Sequence, residues 1–317
     1  MRRLRTALSA LCVCASAANW GCSPKAEVRP SKIAFAIDRS GTRSDILLVD
    51  PAGGEPVPVA AADAEDETPA WAPDGLTLVF TSKRDGHYGL YLWDTKLEML
   101  SGANYKDLAP SWSPSGRRIA FMSNRDTSWQ IYSIGGNGKD EKRLTNSSSN
   151  DTWPMWSPDG TSLVFQSDRG GQQDLYVMRV LPAEADPIPK PKPGAKEEPV
   201  KFAEEPTPLT NDRAWDGRPA WSPDGKLIAW PSAREGKSAI YVMDPAGKNV
   251  KRLTPLDSEA DEPTWSPDGK RIAFVSMRDG FHELYVMNAD GANARRITTL
   301  HGQIHAASWS PFLPPAK

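Results

Sequence analysis

An all-β, six-bladed β-propeller with four-stranded blades is the fold this sequence predicts, and three observations predict it. A Trp-Ser-Pro-Asp-Gly head recurs, with small changes, at Trp71, Trp112, Trp156, Trp221, Trp265 and Trp309. The steps between these tryptophans are 41, 44, 65, 44 and 44 residues, and a period of roughly 40–45 residues holding several short strands marks propeller blades. The two ends of the chain carry complementary fragments of one more unit, so that five whole repeats and one shared repeat make six blades.

The unit that opens at Trp265 shows why one repeat makes four strands. In Ser266-Pro267-Asp268-Gly269 the proline presets φ, the aspartate bonds back to nearby backbone, and the glycine takes the φ > 0 position of a tight reversal. The strand that carries Trp265 must therefore turn there. Arg271 to Ser276 is β-branched and aromatic without a breaker, and reads as a strand buried on both faces. Met277-Arg-Asp-Gly280 turns the chain again, Leu284 to Met287 is the third strand, and Asn288-Ala-Asp-Gly291 the third turn. Arg295 to Thr298 is a more polar fourth strand suited to an outer edge.

Taken in order, the chain starts with basic Met1-Arg-Arg-Leu-Arg5 and an apolar stretch, Ala7 to Ala18, too short for a membrane span. This reads as an export signal over 1–21. Ala15-Ser-Ala17 resembles a small-residue cleavage site, whereas Asn19-Trp-Gly-Cys22 resembles a bacterial lipobox with Asn19 where leucine is usual. Of three cysteines, Cys12 and Cys14 leave with the signal, and a lone Cys22 in an exported protein has no disulfide partner. Lipidation of Cys22 is the expected outcome, with a soluble secreted form as the alternative.

Residues 22–31 form a polar tether, and 32–311 the propeller. Lys32 to Ile37, Asp45 to Val49 and Pro56 to Val59 match the second, third and fourth strands of the repeat without a tryptophan strand before them. Ser308-Trp-Ser-Pro311 is a first strand with only the tail 312–317 after it. Joining the two fragments in one blade closes the ring and removes its open edges. The long step from Trp156 to Trp221 holds Leu181 to Pro208, with eight prolines plus lysines and glutamates. Such a composition cannot pack a core. The reading is an extended insert over 182–206, between the third and fourth strands of one blade.

Export would remove three arginines and no acid, so Lys+Arg falls from 38 to 35 against 40 Asp+Glu. A mildly acidic mature chain argues against nucleic acid as the main partner.

Several motifs resemble the propeller repeats of the TolB family: Trp-Ser-Pro-Asp-Gly at 156, 221 and 265, Ile-Ala-Phe at 33, 119 and 272, Ser-x-Arg-Asp-Gly at 82 and 276, and Leu/Ile-Tyr-Val-Met at 175, 240 and 284. The resemblance covers residues 32 to 311 and implies a periplasmic setting. The family's separate α/β domain has no counterpart in this sequence, so the resemblance does not carry over binding to its lipoprotein or TolA partners.

In a propeller the loops entering the first strand and the loops after the second open on one face. Asp66, Glu67, Asp107, Asp151, Asp216 and Asp261, with His305, enter the first strands, and Arg39, Arg84, Arg125, Arg169, Arg234 and Arg278 follow the second. Pairing between the two sets would fix loop geometry, since arginine forks match carboxylates. A ring of carboxylates holding calcium is the alternative, although no Asp-x-Asp-x-Asp-Gly loop supports it; no cofactor is expected. Tyr88, Trp129, Trp153, Trp215 and Phe281, with His87 and His282, cluster in the same loops, and large exposed aromatics are the usual anchors of a binding surface. Gly135-Gly-Asn-Gly-Lys139 resembles a phosphate loop but lacks the following Ser or Thr and a helix. There is no Gly-x-Ser-x-Gly elbow.

The functional expectation is a monomeric, exported, lipid-anchored propeller that binds an envelope protein or peptide without catalysis, touching the membrane only through its anchor. The candidate contacts are Trp129, Trp153, Trp215, Tyr88, Phe281, His282, Asp107, Asp151, Asp216, Asp261 and His305. The rival readings are a carbohydrate-binding propeller or polysaccharide lyase, which would want a histidine cluster, and a structural envelope protein.

Overall fold

The computed structural model describes residues 31–38, 43–59, 64–94, 96–102, 104–180 and 203–311. The export signal, Cys22, Arg39, most of the proline-rich insert and the tail therefore lie outside the described residues. Among the described residues no helix is long and apolar enough to cross a membrane.

Six four-stranded antiparallel sheets form the molecule. Blade 1 is built from both ends: Gln303–Trp309 lies beside Ile33–Asp38, which pairs with Ser44–Val49 and then Val57–Pro58. The register sets Ile33 opposite Trp309 and Ile37 opposite Ile304, which is the ring closure expected from the complementary ends. Blades 2 to 6 each follow one tryptophan-headed unit, with first strands Asp66–Trp71, Asp107–Trp112, Asp151–Trp156, Ala220–Trp221 and Ala260–Trp265. These first strands neighbour one another in cyclic order and wall a central channel. The fourth strands are short and exposed or half-buried, as an outer edge must be to resist further pairing.

Hydrophobic burial is concentrated in the second and third strands. Phe80, Phe121, Phe165, Trp230 and Phe274 of the second strands are fully buried, each contributing on the order of 2–3 kcal/mol. Each packs on the tyrosine opposite it in the third strand, with ring centroids 5.7–6.4 Å apart. The repeat therefore carries its own aromatic pair, and consecutive blades stack their apolar faces into a continuous ring.

The first strand is not regular. A bulge interrupts its pairing with the second strand in blades 1, 2, 3, 4 and 6. At the bulge, three residues before tryptophan, Thr68, Ala109, Trp153, Glu262 and Ala306 adopt φ between 48° and 55°. This left-handed conformation is strained for a residue with a side chain, by about 1–3 kcal/mol. Five blades repeat it, so ring geometry, not one local sequence, imposes it.

Candidate functional site

Five residues before tryptophan, the strand points an aspartate at the loop that follows the second strand. Arg84 Nη2 grips Asp66 at 3.0 Å, Arg125 grips Asp107 at 3.0 Å, Arg169 grips Asp151 at 2.8 Å and Arg234 grips Asp216 at 3.3 Å. Each arginine also donates its Nε to the serine two residues earlier and lies over the buried aromatic pair of its own blade. The carboxylates of Asp107, Asp151 and Asp216 are completely buried. Those three candidates therefore hold the loop end in shape and present nothing to a partner directly.

Blade 6 departs from this pattern. The position five before Trp265 is Ala260, not aspartate. Arg278 still bonds Ser276 through Nε at 3.1 Å and still covers Phe274 and Tyr285, but its Nη2 is buried without a hydrogen-bond partner. The acid of this blade, Asp261, comes one residue later. Successive side chains of a strand point to opposite sides, so that single step turns the carboxylate away from the arginine.

Asp261 lines a cavity of about 400 Å³ with Glu259, Glu262, Met277, His282 and His305. At its rim Glu259 is taken by Lys237, 2.6 Å away, and Glu262 accepts the Ala306 N–H across the boundary with blade 1. Among the described residues Asp261 accepts only the N–H of its own neighbour Glu262, at 2.9 Å. Burial, with the Glu262 charge adding to it, pushes Asp261 up to about 7. A desolvated carboxyl beside a second acid is expensive to ionise, and an incoming cation would relieve both penalties. Burial also raises Glu67 on blade 2, on the other side of blade 1, while the charge of His305 opposes that rise.

The remaining aromatic candidates are spread around the loop end. Phe281, 45% exposed, meets His301 edge-on with centroids 4.7 Å apart. Trp215 is 39% exposed. Trp129 is half-buried. Tyr88, on blade 2, has Lys83 Nζ 5.3 Å and Lys106 Nζ 5.5 Å from its ring centre, while its hydroxyl donates to Glu65. Trp153 does not sit in a loop. It occupies the left-handed bulge of blade 4, with φ 52°, and faces the Arg218 guanidinium at 5.5 Å.

Sequence reasoning grouped all these acids together as entering the first strands and so missed that positions five and four before tryptophan face different ways. It also passed over Arg218 and Glu262, which stand three residues before tryptophan in blades 5 and 6. Ala260 at the aspartate position was the available signal. Among the described residues no group of three or more His, Cys, Asp or Glu side chains could hold a metal ion.

The TolB beta propeller domain profile matches residues 93–190 and 203–312. A stretch of 35 residues is 46% identical to the Tol-Pal system protein TolB of Syntrophus aciditrophicus (strain SB), covering 11% of this chain and 8% of that protein. The fold is similar to TolB from Acinetobacter baumannii, with TM-score 0.74 and 24% identity over 89% of this chain and 67% of that one. It is also similar to a TolB-type protein from Agrobacterium tumefaciens, with TM-score 0.64 and 23% identity over 86% and 90% of the two chains.

Proposed function

Because this chain belongs to the TolB beta propeller domain family, we propose that it is a non-enzymatic binding module of the bacterial cell envelope, exported and anchored by a lipid on Cys22. Its partner is a protein that offers a basic segment to the loop end of the channel. The observation that carries this reading is the unclamped carboxyl of Asp261 in its cavity of about 400 Å³, where the corresponding acids of four other blades are held by arginines. Met277, 41% exposed, lines the cavity, and the exposed Phe281 immediately precedes the lining residue His282, so both supply apolar contact beside the charge, the combination that anchors an inserted lysine or arginine through its stem and its head. The pocket's size lies in the usual range for a ligand site, and its charge would speed encounter with a basic partner and make binding salt-sensitive. Asp107, Asp151 and Asp216 take part by holding loops; Tyr88, Trp129, Trp153, Trp215, His282 and His305 complete the proposed face.

A photoreactive residue at Phe281 in intact cells tests this reading. The expected result is a crosslinked envelope protein that is lost when Asp261→Asn is added. Crosslinks obtained only from the opposite end of the channel, for example from Lys226, would contradict it.

A further inference from the structure

The opposite end of the channel is chemically the reverse of the Asp261 cavity. There the tryptophans of all six repeat heads, together with the prolines beside them, enclose a cavity of about 390 Å³. Its lining contains no aspartate or glutamate and one cation, Arg218. The guanidinium Nη1 is buried with no hydrogen-bond partner, and so are the indole N–H groups of Trp71, Trp112, Trp156 and Trp221. Among the described residues only two of the six indoles have acceptors: Trp265 donates to Ala220 O at 3.2 Å and Trp309 to Ser31 Oγ at 2.9 Å. Five buried side-chain donors around this cavity therefore stand without acceptors among the described residues, and buried donors are ordinarily paired.

Arg218 stands at the waist between the two cavities. Trp153 lies against it on one side, and Glu262, which lines the other cavity, is the charge that acts on it from blade 6. Burial pushes its pKa below the ordinary value, with Glu262 opposing that shift; an arginine nevertheless keeps its proton in a protein. No ion pair forms between Arg218 and an acid within 4.0 Å among the described residues, in contrast to the four loop-end arginines. A permanent charge in an apolar, donor-rich recess is a costly arrangement unless an anion completes it.

We infer that the tryptophan-ringed cavity binds a monocarboxylate with an apolar body, its carboxylate on the Arg218 guanidinium and its apolar part among the indole and proline rings. One guanidinium fork matches one carboxylate. A phosphate would demand further cations or a cradle of backbone N–H groups, which this lining does not supply. The volume suits a single amino-acid-sized or phenylpropionate-sized group. The same chemistry is presented by a free carboxylic acid and by the C-terminus of a peptide that ends in an aromatic residue.

The test is calorimetric titration of the full chain with 3-phenylpropionate and 3-phenylpropionamide, and with the peptide Ala-Ala-Phe carrying a free or an amidated C-terminus. In at least one pair the acid binds roughly tenfold or more tighter than its amide, the loss expected from removing a charge-assisted bidentate contact. The pair that binds tighter identifies the source. Arg218→Met abolishes the preference, while Asp261→Asn, at the other end of the channel, leaves it intact and so separates this proposal from the loop-end one. Should Arg218→Met fail to fold, the acid-to-amide ratio of the unaltered protein decides alone. Equal binding of acid and amide, no binding of either at millimolar concentration, or an acid preference that survives Arg218→Met overturns the inference.

Discussion

Blades 2 to 5 and blade 6 use the same second-strand arginine for different ends. In the first four, an aspartate five residues before tryptophan closes a buried ion pair with it. In blade 6, Ala260 takes that place, Arg278 keeps a buried nitrogen without a partner, and the acid moves one residue on into an open cavity. The repeat thus tolerates the loss of its internal pair in one blade, and what that blade gains is a carboxyl that makes no ion pair within 4.0 Å among the described residues. A repeat protein can differentiate one unit by placing an acid one residue further along an otherwise unchanged strand, without altering the fold that the other units maintain.

The largest effect that follows is on stability. Asp151→Ala leaves the half-buried Arg169 without its carboxylate partner, and breaking such a pair costs up to about 3–5 kcal/mol. Asp261→Asn breaks no pair, so urea denaturation at pH 8 places its stability at or above that of the parent chain. The comparison fails if Asp151→Ala costs no more than Asp261→Asn.

A smaller effect sharpens it. Ala260→Asp restores the aspartate opposite Arg278 Nη2, and a charge-assisted hydrogen bond made there contributes about 1–2 kcal/mol. The same denaturation experiment reads the gain; a loss of stability would mean that the fully buried Ala260 site has closed around the alanine.

Much of this was legible before any coordinates. The Ser-Pro-Asp-Gly turns fix where strands reverse, the unbroken apolar runs fix which strands are buried, and the headless start and strandless end of the propeller imply the shared blade. The pairing of acids with arginines followed from counting loops to one face. Other features escaped for physical reasons. Side-chain direction near Trp265 changes with one residue, and grouping every acid that enters a first strand erases the distinction between Ala260 and Asp261. The bulge that turns Trp153 into the channel wall is set by how six strands meet around an axis, and a tryptophan carries no mark of a left-handed φ as a glycine would. Arg218 in the channel was hidden in the same way, since its neighbours Trp153 and Glu262 come from other blades.

The central claim is that Asp261 is a protonatable, unclamped carboxyl awaiting a cation. A carbon-13 titration of the aspartate carboxyls, with Asp261 assigned by its loss in Asp261→Asn, tests it directly, alone and with hexalysine as the cationic probe. The account predicts that Asp261 titrates near 7 in the free protein. Bound ammonium groups favour the ionised form, so the probe moves this value down, and by linkage the probe binds tighter as pH rises through the same range. Titration of Asp261 near the ordinary 3.8, unmoved by hexalysine, would contradict the account.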